Sequence, residues 1–172
     1  MLIARSSGRA VYGSAVTFRV VPAAYVLLLR APAGGRTGAD EVLLQLRRGT
    51  GWRDGYWAAG AAGHVEEGES VFAAACREAA EELGVTVAPD ALTPVTVMHR
   101  TQSNRSPIDE RVDFFFTART WSGQAAGRES TKIADLGWFP LDDLPEPVVP
   151  HEKVVLDGLR AGGLPAVVAH GF

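Results

Sequence analysis

A chain of 172 residues is long enough for one domain with short extensions. Such a chain buries about two thirds of its unfolded surface, so a stable core needs neither disulfides nor a structural metal. The net charge of −3 argues against a nucleic-acid-binding surface, and no apolar run approaches the roughly 20 residues of a membrane span. The single cysteine, Cys76, has no internal partner, which points to a reducing compartment. The first ten residues, MLIARSSGRA, lack the long apolar core of a signal peptide. The expectation is a cytoplasmic protein with no nucleic-acid polymer or membrane as partner.

Residues 1–15 have no clear period and read as an N-terminal arm. The span 16–165 reads as one domain and 166–172 as a C-terminal tail. TFRVVPAAYVLLLR (17–30) is β-rich, strongest from Ala24 to Arg30, and EVLLQLRR (41–48) is a second strand. The Pro- and Gly-containing stretch between them makes a hairpin with a long loop. GTGWRDGYW (49–57) is an aromatic loop, and WAAGAAGHVEEGE (57–69) is a short strand running into a Gly-rich loop.

A helix follows over 71–83, with Ser70 as N-cap and Gly84 as the residue that ends it. Phe72, Ala75, Cys76, Ala79 and Leu83 form one apolar stripe at spacings of three and four. LTPVTVMHRT (92–101) and RVDFFFTARTW (111–121) are two more strands, joined by the polar loop QSNRSPIDE. DLGWFPLDDLP (135–145) is a short strand ending in turns, with at least one of Trp138 and Phe139 packed inside. PHEKVVLDGLRAGG (150–163) is a second amphipathic helix, with Val154, Val155 and Leu159 expected inside and Glu152, Lys153, Asp157 and Arg160 outside. Mixed β and α segments with few strict βαβ units favour an α+β fold, a mixed sheet with helices packed on it.

The first helix carries the chemistry. Glu78, Glu81 and Glu82 lie within an arc of about 100° on the side away from the apolar stripe. They also stand at the helix C-terminus, where the partial negative charge of the peptide dipoles disfavours carboxylates. Arg77 is four residues before Glu81 and within reach of it. An exposed acidic face is usually just solvated. Two features set this one apart: the acids sit at the unfavourable helix end, and a Gly-rich loop precedes them. Oxygen ligands clustered this way suit a hard divalent cation, Mg²⁺ or Mn²⁺.

Residues 63–85, GHVEEGESVFAAACREAAEELGV, resemble the Nudix box in full. The fixed places are Gly63, Glu69, Arg77, Glu78, Glu81, Glu82 and Gly84, and Ala79 and Val85 hold its two apolar places. A chance match of seven fixed residues is on the order of 10⁻⁸ per starting position. Flanking stretches, DGYW, RVDFFFTARTW and LGWFPLDDLP, extend the likeness over roughly residues 22–162. The resemblance implies the Nudix fold, a mixed β-sheet sandwiched between α-helices. It implies hydrolysis of a pyrophosphate linkage in a nucleoside diphosphate joined to another group, with Mg²⁺ or Mn²⁺ and often as a homodimer. By the same resemblance Glu78, Glu81 and Glu82 are metal ligands, helped by the Gly63 carbonyl, and one of the three is a candidate base. Arg77 orients the glutamates, Glu69 braces Arg77 or the loop, and Gly84 ends the helix.

The sequence departs from the family where many members carry Leu-Pro-Gly-Gly before the box. WAAGAAGH (57–64) lacks the proline and is one residue longer, which bears on the Gly63 carbonyl. A similar AAGH occurs in isopentenyl diphosphate isomerases. Those need a separate catalytic cysteine, whereas Cys76 lies on the apolar side of the box helix. Glu129 is the first candidate for a further acid, with Glu110 and Asp113 as alternatives. A solvated loop acid is the plain reading of each. Arg47, Arg48 and Arg53 are candidates for phosphate contacts, Tyr56 or Trp52 for stacking on a base, and His99 and Arg100 for the pocket wall. Because Arg47 and Arg48 alternate on a strand, at most one points to a given face. The main alternative to a hydrolase is a non-catalytic Nudix-fold nucleotide-binding or regulatory module. Hydrolysis of oxidised nucleoside triphosphates is a narrower form of the first reading.

Overall fold

The computed structural model describes residues 18–32, 38–129 and 131–172; the proposed N-terminal arm, 1–15, lies outside them. The strands run β1 (Val21–Arg30), β2 (Glu41–Arg47), β3 (Trp57–Ala59), β4 (Ala61–His64), β5 (Leu92–Arg100), β6 (Arg111–Ala118), β7 (Ile133–Pro140) and β8 (Val167–His170). Two helices, α1 (Val71–Leu83) and α2 (Pro150–Arg160), pack on the sheet. The order β3-β2-β1-β6-β5-β8, with β4 also paired to β1 and β7 to β2, makes the sheet mixed. β1 is parallel to β6 and antiparallel to β2 and β4. The α+β expectation holds.

β1 organises the rest. Its first half pairs with β4, Ala23 to Val26 against His64 to Ala61. Only its last two residues, Leu29 and Arg30, pair with β2. One edge of β1 thus serves two strands in turn, and the sheet forks between β4 and β2. Alternation of side chains across the sheet separates two cores. Ala24, Val26, Leu28 and Phe116 meet Ala75, Ala79 and Leu83 of α1 on one face. Tyr25, Leu27, Met98 and Phe115 meet Val155 and Leu156 of α2 on the other. Trp138 and Phe139, adjacent on β7, go to opposite cores.

Several segments differ from the sequence expectation. The Gly-rich stretch before α1 is a strand as far as His64. Gly60 is the crossing point between β3, paired to β2, and β4, paired to β1. The tail residues 167–170 form the edge strand β8, parallel to β5. On α2 the expected sides are partly exchanged: Glu152 is 3% exposed and Val154 is 38% exposed. The buried stripe is Glu152, Val155 and Leu156, at the same three- and four-residue spacing. A buried hydrogen bond to the β3 backbone keeps Glu152 inside. Phe72, at the first turn of α1, is 39% exposed and tilts against Phe116 at 5.0 Å.

Phe115 is 1% exposed and Phe172 is 73% exposed. Truncating Phe115 to alanine should cost about 3–5 kcal/mol in urea unfolding. The same change at Phe172 should cost under about 0.5 kcal/mol. Comparable losses would contradict the assignment of the second core.

Candidate active site

α1 begins where the Ser70 hydroxyl accepts from the Ala73 N–H at 3.1 Å. It ends at Gly84, whose φ of 69° is left-handed. No basic residue lies in its last turn. The segment after β6 supplies what is missing: Ala126 N–H donates to the Leu83 carbonyl at 2.9 Å and Arg128 N–H to the Glu82 carbonyl at 2.8 Å. The Arg128 guanidinium lies where a Cβ on Gly84 would stand; that side chain could swing aside, so the left-handed φ is what calls for glycine. A cation and two amides therefore face the negative end of the helix.

Arg77 gathers the acids. It makes a bidentate pair with Glu69, Nε to Oε1 and Nη2 to Oε2, both at 3.0 Å. Nη1 donates to Glu78 at 2.7 Å and to Glu81 at 3.1 Å, and Nη2 to the His64 carbonyl at 3.0 Å. Glu78 is not on a solvated far side. It is 8% exposed and packs on β4, where a Cβ on Gly63 would fall 1.9 Å from its Oε1. Burial pushes its pKa up against the opposing pull of Arg77. Glu82 accepts from the Ala62 N–H at 3.0 Å. Burial, with Glu78 and Glu129 nearby, raises its pKa to about 7. Glu81 remains exposed apart from its pair with Arg77.

Two adjoining cavities open beside these groups. One, about 360 Å³, is lined by Glu82, Glu129, Lys132, Arg47, Gln45 and Ala62. The other, about 350 Å³, lies at the fork of the sheet on the α2 side and shares Arg47, Gln45 and Ala62 with the first. Gly63 borders this second cleft, so one strand residue separates it from the Glu78 carboxylate. Tyr25, Trp52, His64, Arg100, Arg111 and Glu152 complete most of its wall.

The candidates named from sequence are placed as follows. Glu129 faces the first cavity and pairs with Lys132 at 2.9 Å. Glu110 accepts from the Thr101 hydroxyl at 2.8 Å and lines neither cavity. Asp113 is fully buried, its two oxygens held by Arg100 at 2.7 Å and Arg111 at 3.2 Å. Arg47, the last residue of β2, borders both cavities, while Arg48, just past the strand, is exposed and borders neither. Arg53 lies over Trp52 and Tyr56, at 5.9 and 5.2 Å, beside a smaller cavity of about 60 Å³. Tyr56 itself lines neither large cavity. His99 is on the opposite face of β5 from the cleft, against Phe172 at 4.6 Å; its neighbour Arg100 reaches the cleft instead. Cys76 is half-buried against the α1 core, and burial raises its thiol pKa.

Sequence reasoning missed Glu152, His64, Arg111 and His151. Glu152 Oε2 accepts from Ala59 N–H at 2.5 Å, and burial raises its pKa to about 7. His151 Nε2 lies 3.3 Å from the Tyr25 hydroxyl, and burial, reinforced by Arg100, lowers its pKa to about 2. His64 takes a 2.6 Å contact from Arg111 Nη1. Because arginine only donates, His64 Nε2 is the acceptor and the ring is neutral.

A family model described as the NUDIX domain matches residues 21–159. The chain belongs to the Nudix family. No curated protein matches it. Among solved structures it is similar to a MutT NUDIX hydrolase from Burkholderia pseudomallei, at 29% identity and a TM-score of 0.62, covering 78% of this chain and 96% of that one. It is similar to the Nudix hydrolase RenU of M. smegmatis, at 25% identity and TM-score 0.55, over 82% of this chain and 84% of that one. The NUDIX domain of Shewanella oneidensis NrtR, complexed with ADP ribose, shares the fold at 18% identity and TM-score 0.66, over 89% and 94%. Nudix hydrolases generally act on pyrophosphates of nucleoside diphosphate derivatives and use divalent metals.

The Nudix box residues fit such a metal in donor type, since all three glutamates offer hard oxygens and two of them are desolvated. They are not gathered around one point: among the described residues no three His, Cys, Asp or Glu side chains converge at metal-binding distance. Glu78 and Glu81 are turned to Arg77, and Glu82 to the Ala62 amide.

Glu152 gives a sign for pH dependence. Its folded pKa is above the unfolded value, so the native state holds the proton more tightly. Its contribution is fully present below about pH 4.5 and is lost as pH rises through about 7. Buried His151, with its lowered pKa, acts oppositely, losing stability as pH falls below 6.5. Comparing wild type with Glu152→Gln removes most of the His151 contribution, the remainder being the coupling of two side chains 3.9 Å apart. The stability difference should move against wild type by roughly 1–3 kcal/mol between pH 4.5 and 7.5 in urea titrations. A difference that stays flat over this range would show that Glu152 is not buried as an acid.

Proposed function

We propose that this protein is a metal-dependent pyrophosphohydrolase acting on a nucleoside diphosphate joined to another group. The observation that carries the reading is the packing of the complete box. Three glutamates stand in the C-terminal half of α1, Glu78 against Gly63 and Glu82 against Ala62 of β4, and two cavities open along the same strand. Glu78, Glu81 and Glu82, with the Gly63 carbonyl, would hold Mg²⁺ or Mn²⁺. Bound there, the cation neutralises phosphate charge and lowers the pKa of a coordinated water.

The chain's own residues do the rest. We assign the base to Glu82, which faces the first cavity beside the Ala62 amide and would hold the cation through water. Glu129, beside Glu82 in the same cavity, is the further acid we assign to the site. Arg77 keeps Glu78 and Glu81 on one side of the helix and touches no substrate. Arg47, on the wall shared by the two cavities, is placed to meet a phosphate oxygen. Trp52 offers a face for a planar ring in the α2-side cleft. The ADP ribose held by the NrtR domain is of the substrate class proposed. We place the enzyme in the cytoplasm, where such nucleotides are made, and expect a homodimer.

The spread of the three glutamates favours a second reading, a module that binds such a ligand without turnover. One experiment separates them. The protein is screened with Mg²⁺ or Mn²⁺ against nucleoside triphosphates, nucleotide sugars, dinucleoside polyphosphates and NADH. We expect metal-dependent release of a monophosphate. Glu81→Gln and Glu82→Gln should each lower it about 100-fold or more, while thermal midpoints stay level or rise as repulsion at the helix end is relieved. Binding without turnover across the panel supports the module. Unfolding of both variants would make the glutamates structural.

A further inference from the structure

The α2-side cleft has a charge imbalance that the box does not use. Arg100 and Arg111 both line it, and both give their Nε hydrogen to the single carboxylate of Asp113. Asp113 is fully buried and Arg100 is 5% exposed, so two guanidinium groups share one anion in a poorly solvated place. Asp109, also on the wall, accepts from the Gln102 and Asn104 side-chain amides, while Arg47 adds a third guanidinium, so the other near groups do not restore the balance. His64 accepts from Arg111 Nη1 and is neutral. The hydroxyl of Tyr25 keeps its proton because burial, with Asp113 next, raises its pKa. His151 is neutral because burial, with Arg100 next, depresses its pKa. Glu152 holds at most part of a charge near neutrality.

A buried cation without a partner is costly, and water or an anion in the cleft removes the cost. Asp113 occupies the Nε edge of each guanidinium. Of the Nη hydrogens, up to four on each guanidinium, His64 takes one from Arg111 and the Tyr25 hydroxyl meets Arg100, and the rest are left for other partners. Two forks fixed at their base by one carboxylate are organised in advance for a tetrahedral oxyanion.

We propose that Arg100 and Arg111 form a subsite for a phosphate monoester on the part of the substrate beyond the scissile diphosphate. The substrate would then be a nucleoside diphosphate derivative bearing a third phosphate elsewhere, such as on a ribose hydroxyl. This rests on the hydrolase reading for what occupies the box side. The cleft's volume of about 350 Å³ suits one phosphorylated sugar or nucleoside fragment.

The test is calorimetric titration of the full chain in EDTA with AMP, ADP, adenosine 2′,5′-bisphosphate and adenosine 3′,5′-bisphosphate. At least one bisphosphate should bind about tenfold or more tighter than AMP and ADP. Arg111→Gln should abolish that preference and Arg111→Lys should keep part of it, both folded by thermal melt. Should Arg100→Gln fail to fold because Asp113 loses a partner, the Arg111 pair of variants still decides. Equal binding of AMP and both bisphosphates overturns the proposal, and so does a preference unchanged in Arg111→Gln. A gain for ADP as large as for the bisphosphates, lost in Arg111→Gln, also overturns it, because the arginines would then hold the diphosphate itself. Hydrolysis without a bisphosphate preference sinks this inference alone. A preference without hydrolysis of any diphosphate sinks the hydrolase reading alone.

Discussion

Arg77 is saturated, and much of the site depends on that. A guanidinium has five N–H bonds, and all five are directed: two at Glu69, one each at Glu78, Glu81 and the His64 carbonyl. Those partners belong to three separate pieces of chain, the loop before α1, the helix, and β4. One side chain therefore fixes the approach of helix to strand and the direction of two carboxylates. A residue with no donor left over cannot also grip a substrate without releasing something. Arg77 is for this reason a positioning residue, and any cation drawn to Glu78 or Glu81 must share them with it.

The same logic resolves the surplus of acid at the end of α1. Peptide dipoles disfavour carboxylates there. Arg77 on one side, Arg128 on the other and two amides from residues 126 and 128 offset much of the cost. The compensation is incomplete. Glu78 and Glu82 keep raised pKa values because burial removes water faster than neighbours supply positive charge. The helix end holds together as it stands, yet negative charge remains that a cation would satisfy.

The box was legible in the sequence because it is local. Gly63 to Gly84 is one unbroken stretch, and helical geometry converts its spacings directly into a face. The α2-side cleft was not, because its partners are remote: Tyr25 meets His151 across 126 residues and Ala59 meets Glu152 across 93. No periodicity encodes such a meeting. Parity along β5 was the other blind spot. His99 and Arg100 were equal candidates, and only the register of β5 against β6, Met98 opposite Asp113 and Arg100 opposite Arg111, puts Arg100 on the cleft side. By its charge alone Glu152 reads as outward-facing. Its spacing to Val155 and Leu156 already placed it on their stripe, so periodicity was the better guide than polarity.

The departure from Leu-Pro-Gly-Gly now has a physical reading. Ala58, Ala59, Gly60 and Ala61 are buried, and there the chain leaves β2's side of the fork for β1's. Small residues allow close approach from both directions. A Cβ on Gly60 would stand 3.2 Å from Leu83 of α1, and Ala59's amide must reach Glu152 of α2. Proline at residue 59 would remove that N–H and leave a buried carboxyl without its partner. Three residues further on, Gly63 lets Glu78 lie directly against the strand. A single small-residue segment thus touches the box helix on one face and the cleft-bearing helix on the other. Displacement of β4 by a ligand in the cleft would be felt at Glu78, because no side chain on Gly63 stands between them.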